Sequence, residues 1–396
     1  MRWKDRAVVC MMAAVMALGA VGCSSMEKQM QESDLSQKKK EGTQEESLQI
    51  AEGFRAVYEE AQAEGNLKDR QVQEELIRAI GEQGYAAVDT ENRINMVNSE
   101  QMETFLQEAG QGREAEASMF CVTDEGGFIR YDLETRESVM DVTVSSLRWQ
   151  NGEPEVWYTH DFEATDWEFT EKGYFFLEEA RPAGYDGAPG QKAFRIRPLD
   201  ADCRQAYEKY LSMIGYERNN MLITDWSEEN YGDLEFYDLF ERLYQAQYGS
   251  MNPYEAHEGA RYEVPQELVE NVLCARFRID IQTLRQRMTY HAAGRTYEYR
   301  PRGLRDGGAP YGPVPEVTAC EWQKDGTLCL TVDAVWPREW MDRALQSRLV
   351  VRPLESGSFQ YVSNQVVYRD ARMTWSWYEP RFTEEEWEQY YGTEGK

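Results

Sequence analysis

The chain has only three histidines, His160, His257 and His291. His257-Glu258-Gly259-Ala260-Arg261 opens like a zincin helix, but the second histidine needed four residues on is replaced by Arg261. The cysteines are scattered without CxxC spacing, so no pattern for a structural or catalytic zinc site is present. Serine chemistry fares no better. There is no GxSxG elbow. Ser25-x-x-Lys28 fits the SxxK string only in a polar stretch with no KTG partner. The run "RDGGAPYGPVP", from Arg305 to Pro315, lacks GxxxxGK[ST], and Pro310, Pro313 and Pro315 remove donors that a phosphate cradle would use. Asp200-Ala201-Asp202 is too short for a calcium loop and reads as a helix cap. The sequence therefore assigns no catalytic residue, no cofactor and no metal ligand.

What remains is acid interleaved with aromatic. "THDFEATDWEF" (Thr159 to Phe169) and "TDWSEENYGDLEFYD" (Thr224 to Asp238) both have this character. Rings stacking on sugar faces beside a carboxylate pair would make a glycan hydrolase. The same alternation describes an element with one buried and one solvated face, and that reading is favoured because both residue classes abound throughout. The tail "MTWSWYEPRFTEEEWEQYYG" brings Trp375, Trp377, Trp387, Tyr390 and Tyr391, either to dock on the body or to bind a partner.

The N-terminus is more specific. Arg2, Lys4 and Arg6 precede an apolar run of 16 residues from Ala7 to Gly22, short of the roughly 20 that a membrane-spanning helix needs. Leu18-Gly19-Ala20-Val21-Gly22-Cys23-Ser24-Ser25 follows, and small residues leading into a cysteine resemble the lipobox of bacterial lipoproteins. Ala20 stands where that pattern prefers Leu. The resemblance implies a signal peptide over 1–22, cleavage before Cys23 and diacylglycerol on its sulfur. Two or more acyl chains make attachment stable. Residues 23–46 contain no aromatic and predict a flexible tether with a coil span of roughly 25–30 Å. Lys38 to Lys40 read as solvated rather than lipid-bound.

Charge narrows the partners. The formal net charge is −28, and it becomes −30 once residues 1–22 take away three basic and one acidic side chain. So acidic a body argues against nucleic acid, whose binding depends on cations displacing counterions, and leaves basic partners and divalent cations open. Beyond Cys10 and Cys23 the cysteines are Cys121, Cys203, Cys274, Cys320 and Cys329, an odd set with no disulfide framework. A two-residue turn at Asp325-Gly326 would put Cys320 and Cys329 diagonally on one face, about 7–8 Å apart and too far to bridge. They read as small buried hydrophobes.

Hydrophobic periodicity supplies the elements that must position all this. Helical spacing runs from Glu46 to Gly84 with a break at Gly65, and again from Ser99. Period-two strands then begin at Ser118, with turns at Glu125-Gly126-Gly127, Asn151-Gly152 and Lys172-Gly173, and "KAFRIRPLD" closes the set. A helical block follows, with starts at Asp200, Phe236, Pro265 and Asp280, before strands return in "TYEYRP", "EVTACEW", "TLCLTVDAVW", "SRLVVRPL" and "SFQYVSNQVVY". "VSSLRWQ" echoes "VTACEWQ", and Arg197-Pro198-Leu199-Asp200 echoes Arg352-Pro353-Leu354-Glu355, which leaves internal duplication and convergence of amphipathic hairpins as alternatives. The expected fold class is α+β: two helix-then-antiparallel-sheet units over 47–200 and 201–370, after a disordered tether and before the 371–396 tail.

The segment "TLCLTVDAVWPREWMDRALQSRLVVRPLESGSFQYVSNQVV" resembles uncharacterised lipobox-bearing surface lipoproteins of gut Firmicutes, a family of unknown function, over about Tyr262 to Val367. That resemblance implies a Gram-positive surface lipoprotein and says nothing of chemistry. The expectation is a protein anchored by lipid on Cys23 at the outer face of the bacterial cytoplasmic membrane, binding a protein or glycan without catalysis. The alternatives are a cell-envelope glycan hydrolase using Asp/Glu and a structural envelope accessory protein.

Overall fold

The computed structural model describes residues 40–136, 139–303, 306–308, 310–373 and 375–392. Cys10, Cys23, the apolar run and Ser25-x-x-Lys28 lie outside the described residues. The fold is α+β. Contacts group it into two compact units, one of residues up to 92 with 96–163, the other of 93–95 with 164 onward.

The first unit opens with helices α1 (40–53), α2 (Arg55–Glu64) and α3 (Arg70–Glu82). Helix α1 begins earlier than the tether composition predicts. Its first turns are wholly polar, and packing starts only at Ser47, Ile50 and Ala51, all buried. Glu46 pairs with Arg130 at 2.7 Å and Lys40 with Asp161 at 2.6 Å, which holds those polar turns to the sheet. Gly65 takes the left-handed conformation that ends α2.

Strand β1 (Ala86–Asp89) leads through α4 (Ser99–Gly110) into β2 (Ala115–Val122), β3 (Phe128–Arg136), β4 (Val139–Gln150) and the first part of β5 (Glu153–Phe169). Neighbours β2 to β5 are antiparallel, as the hairpin spacing predicts. Asn151 (φ 54°) and Gly152 (φ 81°) are both left-handed, the two-residue turn that matches strand twist. Strand β1 pairs parallel to β2, with α4 as the crossover, so this sheet is mixed rather than purely antiparallel. Four successive buried residues carry no period-two signal, which is why sequence spacing misses it. Helices cover the sheet through Tyr58, stacked on Trp149 at 4.1 Å, while Trp149 Nε1 donates to Gly126 O.

In the second unit the remainder of β5 pairs with β6 (Tyr174–Glu179), and β6 with β7 (Gln191–Arg195). Lys172 bonds Asp333 and Tyr174 Oη donates to Glu316 at 2.7 Å, which ties this meander to the strands that follow in the same unit. Next come α5 (Ala201–Tyr210), β8 (Trp226–Ser227), α6 (Phe236–Tyr248), β9 (Tyr262–Pro265), α7 (Gln266–Arg276), α8 (Ile281–Arg287), β10 (Tyr290–His291) and β11 (Thr296–Tyr299). Antiparallel strands β12 (Val314–Trp322), β13 (Leu328–Trp336), β14 (Met341–Pro353) and β15 (Phe359–Arg369) form a sheet edged by β8, and helix α9 (Glu384–Tyr391) follows. A second small sheet has the order β10-β11-β9. Trp226, Tyr231, Phe236, Phe277 and Tyr361 pack mostly edge to face in the core.

Two sequence expectations resolve here. Asp200 caps α5, accepting from Asp202 N at 2.8 Å. Asp200→Ala is expected to cost about 1 kcal/mol, read from the urea midpoint at unchanged slope. The Cys320–Cys329 geometry differs from the prediction. Gln323 to Thr327 form a longer turn, Gln323 N bonding Thr327 O, and the pairs become Cys320↔Leu330 and Glu321↔Cys329. That one-residue change in register puts the two cysteines on opposite faces of the sheet.

Candidate functional site

Helix α6 begins at Glu235, whose side chain accepts from Tyr237 N at 3.1 Å. Its next acid, Asp238, faces inward and is fully buried. Arg302 binds it through two parallel bonds, Nε to Oδ1 at 2.8 Å and Nη2 to Oδ2 at 2.7 Å. Arg381 adds a bond to Oδ1 at 2.6 Å and reaches Glu241 at 3.2 Å, and Tyr378 Oη donates to Oδ2 at 3.1 Å. Two guanidinium groups and two carboxylates thus form one charge-matched cluster, the condition under which buried charge is tolerated. Arg302 also donates to Glu379 O at 2.9 Å, so the cluster pins the chain that leads to α9.

Above the cluster lies a cavity of about 260 Å³. Acids supply one part of its wall, Glu235, Glu298, Asp306 and Glu384, and rings supply another, including Tyr237, Phe382 and Trp387. Strand β11 places Glu298 opposite Glu263 of β9. A capping box between Thr383 and Glu386 starts α9 just ahead of Trp387, whose ring packs against the guanidinium groups of Arg261 (4.4 Å) and Arg300 (4.5 Å). Arg300 is matched by Glu298 and Glu384, and Arg381 by the cluster beneath. Among the described residues the wall holds these four acids and two cations, and Arg261 also pairs with Glu298 and Glu384.

Burial raises the Glu235 carboxyl above its ordinary value of 4.5, and Asp238 adds to the rise. Burial raises Glu241 as well. For a carboxyl raised by folding, the folded state binds the extra proton. The stabilisation is full below 4.5 and is lost as pH climbs through the raised value. Glu235 is therefore expected to add to the melting temperature as pH falls through its raised value toward 4.5, and Glu235→Gln should flatten that part of the slope.

The acid–aromatic stretches separate as a buried and a solvated set. From Thr159 to Phe169 the acids are exposed while Phe162, Trp167 and Phe169 are half-buried. From Thr224 to Asp238, Trp226, Tyr231 and Phe236 enter the core, Tyr237 lines the cavity, Asp225, Glu229 and Asp233 face solvent, and Asp238 enters the arginine cluster. The tail docks in part: Trp377 is buried, and Trp336 meets Trp375 at 4.5 Å and Trp377 at 5.0 Å. Sequence reading missed Arg300, Arg302 and Arg381, which carry no motif.

Of the histidines, His257 lines the cavity, His160 stacks near Phe162 and His291 bonds Glu263 at 2.9 Å. Glu263, His291 and Glu298 each bring a donor atom within 4.8 Å of the others. Those atoms already have partners: Thr296 and His291 on Glu263, Arg300 and Arg261 on Glu298. In the first unit a wider groove of about 1050 Å³ crosses the face of β2 to β5 around Arg130, and Arg130, Lys40 and Arg136 there pair with neighbouring carboxylates.

Fold and cavity together define an α+β protein with an acid- and aromatic-walled pocket built on a buried arginine–carboxylate cluster. The chain belongs to a family of unknown function, DUF6070, which it matches over residues 40–381. No curated protein and no solved structure matches it significantly. No helix among the described residues is long and apolar enough to cross a membrane.

Proposed function

We propose that the protein is a lipid-anchored extracytoplasmic binding protein that holds a small polar ligand bearing an amine in the cavity of the second unit. One observation carries the ligand class: Glu235 and Asp306 line the cavity beyond the Glu298 and Glu384 that pair with Arg300, and Arg381 is matched by the cluster beneath. An ammonium group gains through charge-assisted bonds to these carboxylates. An anionic ligand would meet excess like charge. Catalysis is not part of this reading.

The proposed anchor is diacylglycerol on Cys23, at the outer face of a Gram-positive cytoplasmic membrane, after removal of residues 1–22. Its support is the lipobox-like run and the polar stretch behind it. Cys23→Ala is expected to move the protein from the membrane to the soluble fraction and to abolish the acylated N-terminal peptide in mass spectra. Membrane retention by that variant would refute the anchor.

The ligand class is tested by thermal shift on the full chain in detergent with L-lysine, L-arginine and spermidine, against glucose and acetate. At least one amine should raise the melting temperature by a few degrees at saturation, with glucose and acetate inert. A shift with acetate alone, or with none of the five, refutes it.

A further inference from the structure

Cys203 lies in the first turn of α5, buried, and Cys320 lies half-buried on β12. Their sulfurs are 3.9 Å apart, both as free thiols. They are separated by 117 residues in sequence, so the fold alone brings them together. We propose that Cys203 and Cys320 form a latent disulfide site, closed by thiol–disulfide exchange with a low-molecular-weight disulfide. This rests on the sulfur geometry and is independent of the cavity reading.

Several observations favour this pair. A disulfide needs its sulfurs at about 2.05 Å, so an approach of roughly 2 Å is required, on the scale of side-chain rotation. Both side chains point into the contact between helix and sheet, where the Cys320 sulfur also meets Asp202 O at 3.8 Å. A bulge in β12 between Val317 and Ala319 lies next to Cys320 and helps set its direction. Cys329, the nearest cysteine in sequence, is on the other face of the sheet.

The Cys320 thiol loses its proton, and its sulfur attacks one sulfur of the external disulfide. The external S–S bond breaks, and the departing sulfur takes up a proton as a free thiol. Cys203 then loses its proton and displaces the second external thiol from Cys320. The two protein thiols are oxidised, and one external disulfide is reduced to two thiols. Burial pushes both protein thiols up, Cys320 to about 12, so the first attack is slow at neutral pH and quickens as pH rises.

The test treats the full chain with oxidised glutathione at raised pH, with dithiothreitol as the reduced control. The expected product is about 2 Da lighter, the mass of two hydrogens, and a proteolytic map joins the Cys203 and Cys320 peptides. A cross-link closing so long a loop should also raise the melting temperature by about 5–10 °C. Cys320→Ser, at the more exposed position, should remove the cross-link and leave the reduced protein's melting unchanged; Cys203→Ser should remove it as well. Accumulation of stable glutathione adducts on Cys320, a cross-link at another pair, or an unchanged thiol count would each overturn the proposal.

Discussion

Asp238→Ala is expected to destabilise the second unit by about 3–5 kcal/mol, because it leaves two guanidinium groups facing a buried void. Asp238 is fully buried and accepts from Arg302, Arg381 and Tyr378. Removing it strands Arg302, which is buried, without its counter-charge and leaves Arg381 with Glu241 alone. The loss should appear as a lower urea midpoint. A paired replacement, Asp238→Leu with Arg302→Met, separates the cost of an orphaned charge from the worth of the pair. It should recover much of the loss, since an apolar pair of similar volume avoids the desolvation penalty. A double variant as unstable as Asp238→Ala would mean that hydrogen-bonded architecture, rather than charge matching, holds this region. Because Arg381 also lines the cavity, Asp238→Ala should weaken ligand binding as well.

Trp336→Ala is expected to cost about 3–5 kcal/mol, by loss of buried surface and by the cavity left behind. Trp336 heads the largest fully buried side chains, and its Nε1 donates to Tyr311 O at 3.0 Å. It also forms the floor on which Trp375 and Trp377 rest. The effect should therefore spread beyond the global midpoint. Limited proteolysis of the variant should cut after residue 370 at denaturant concentrations where the wild type resists. Trp336→Phe keeps most of the ring packing but leaves Tyr311 O without its donor, and should cost less than half as much.

Much of the fold was legible in short-range spacing. The Asn151-Gly152 turn, the Asp200 and Asp280 caps and the amphipathic stripes of α3, α6 and α7 depend on neighbours within a few residues. Where sequence reading fell short, the deciding partner is remote. Strand β1 is defined by its parallel alignment with β2, across a whole helix. The β12–β13 register turned on whether the loop holds two residues or five, and both choices suit Asp325-Gly326. Helix α1 begins within a polar run because its early contacts are ion pairs with Arg130 and Asp161. The site was hidden for the same reason. "TDWSEENYGDLEFYD" displayed Asp238 among many acids, but its partners lie 64 and 143 residues onward. The Arg-Pro-Leu echo also parts in three dimensions: Arg197–Asp200 leads into the cap of α5, and Arg352–Glu355 leads into the β14–β15 turn, with Leu354 N bonding Ser358 O.

The claim that matters most is that the acid- and aromatic-walled cavity binds an amine. Isothermal titration of the full chain in detergent with the amine that gives the largest thermal shift, repeated on Trp387→Ala, tests it most directly. Trp387 lines the cavity and is itself only partly buried, so the variant should fold. The account predicts one site per chain in the wild type and an affinity at least about tenfold weaker in Trp387→Ala, because the ring against which Arg261 and Arg300 pack is part of the cavity wall. Equal affinity in the two proteins, or no heat from any amine, would contradict it.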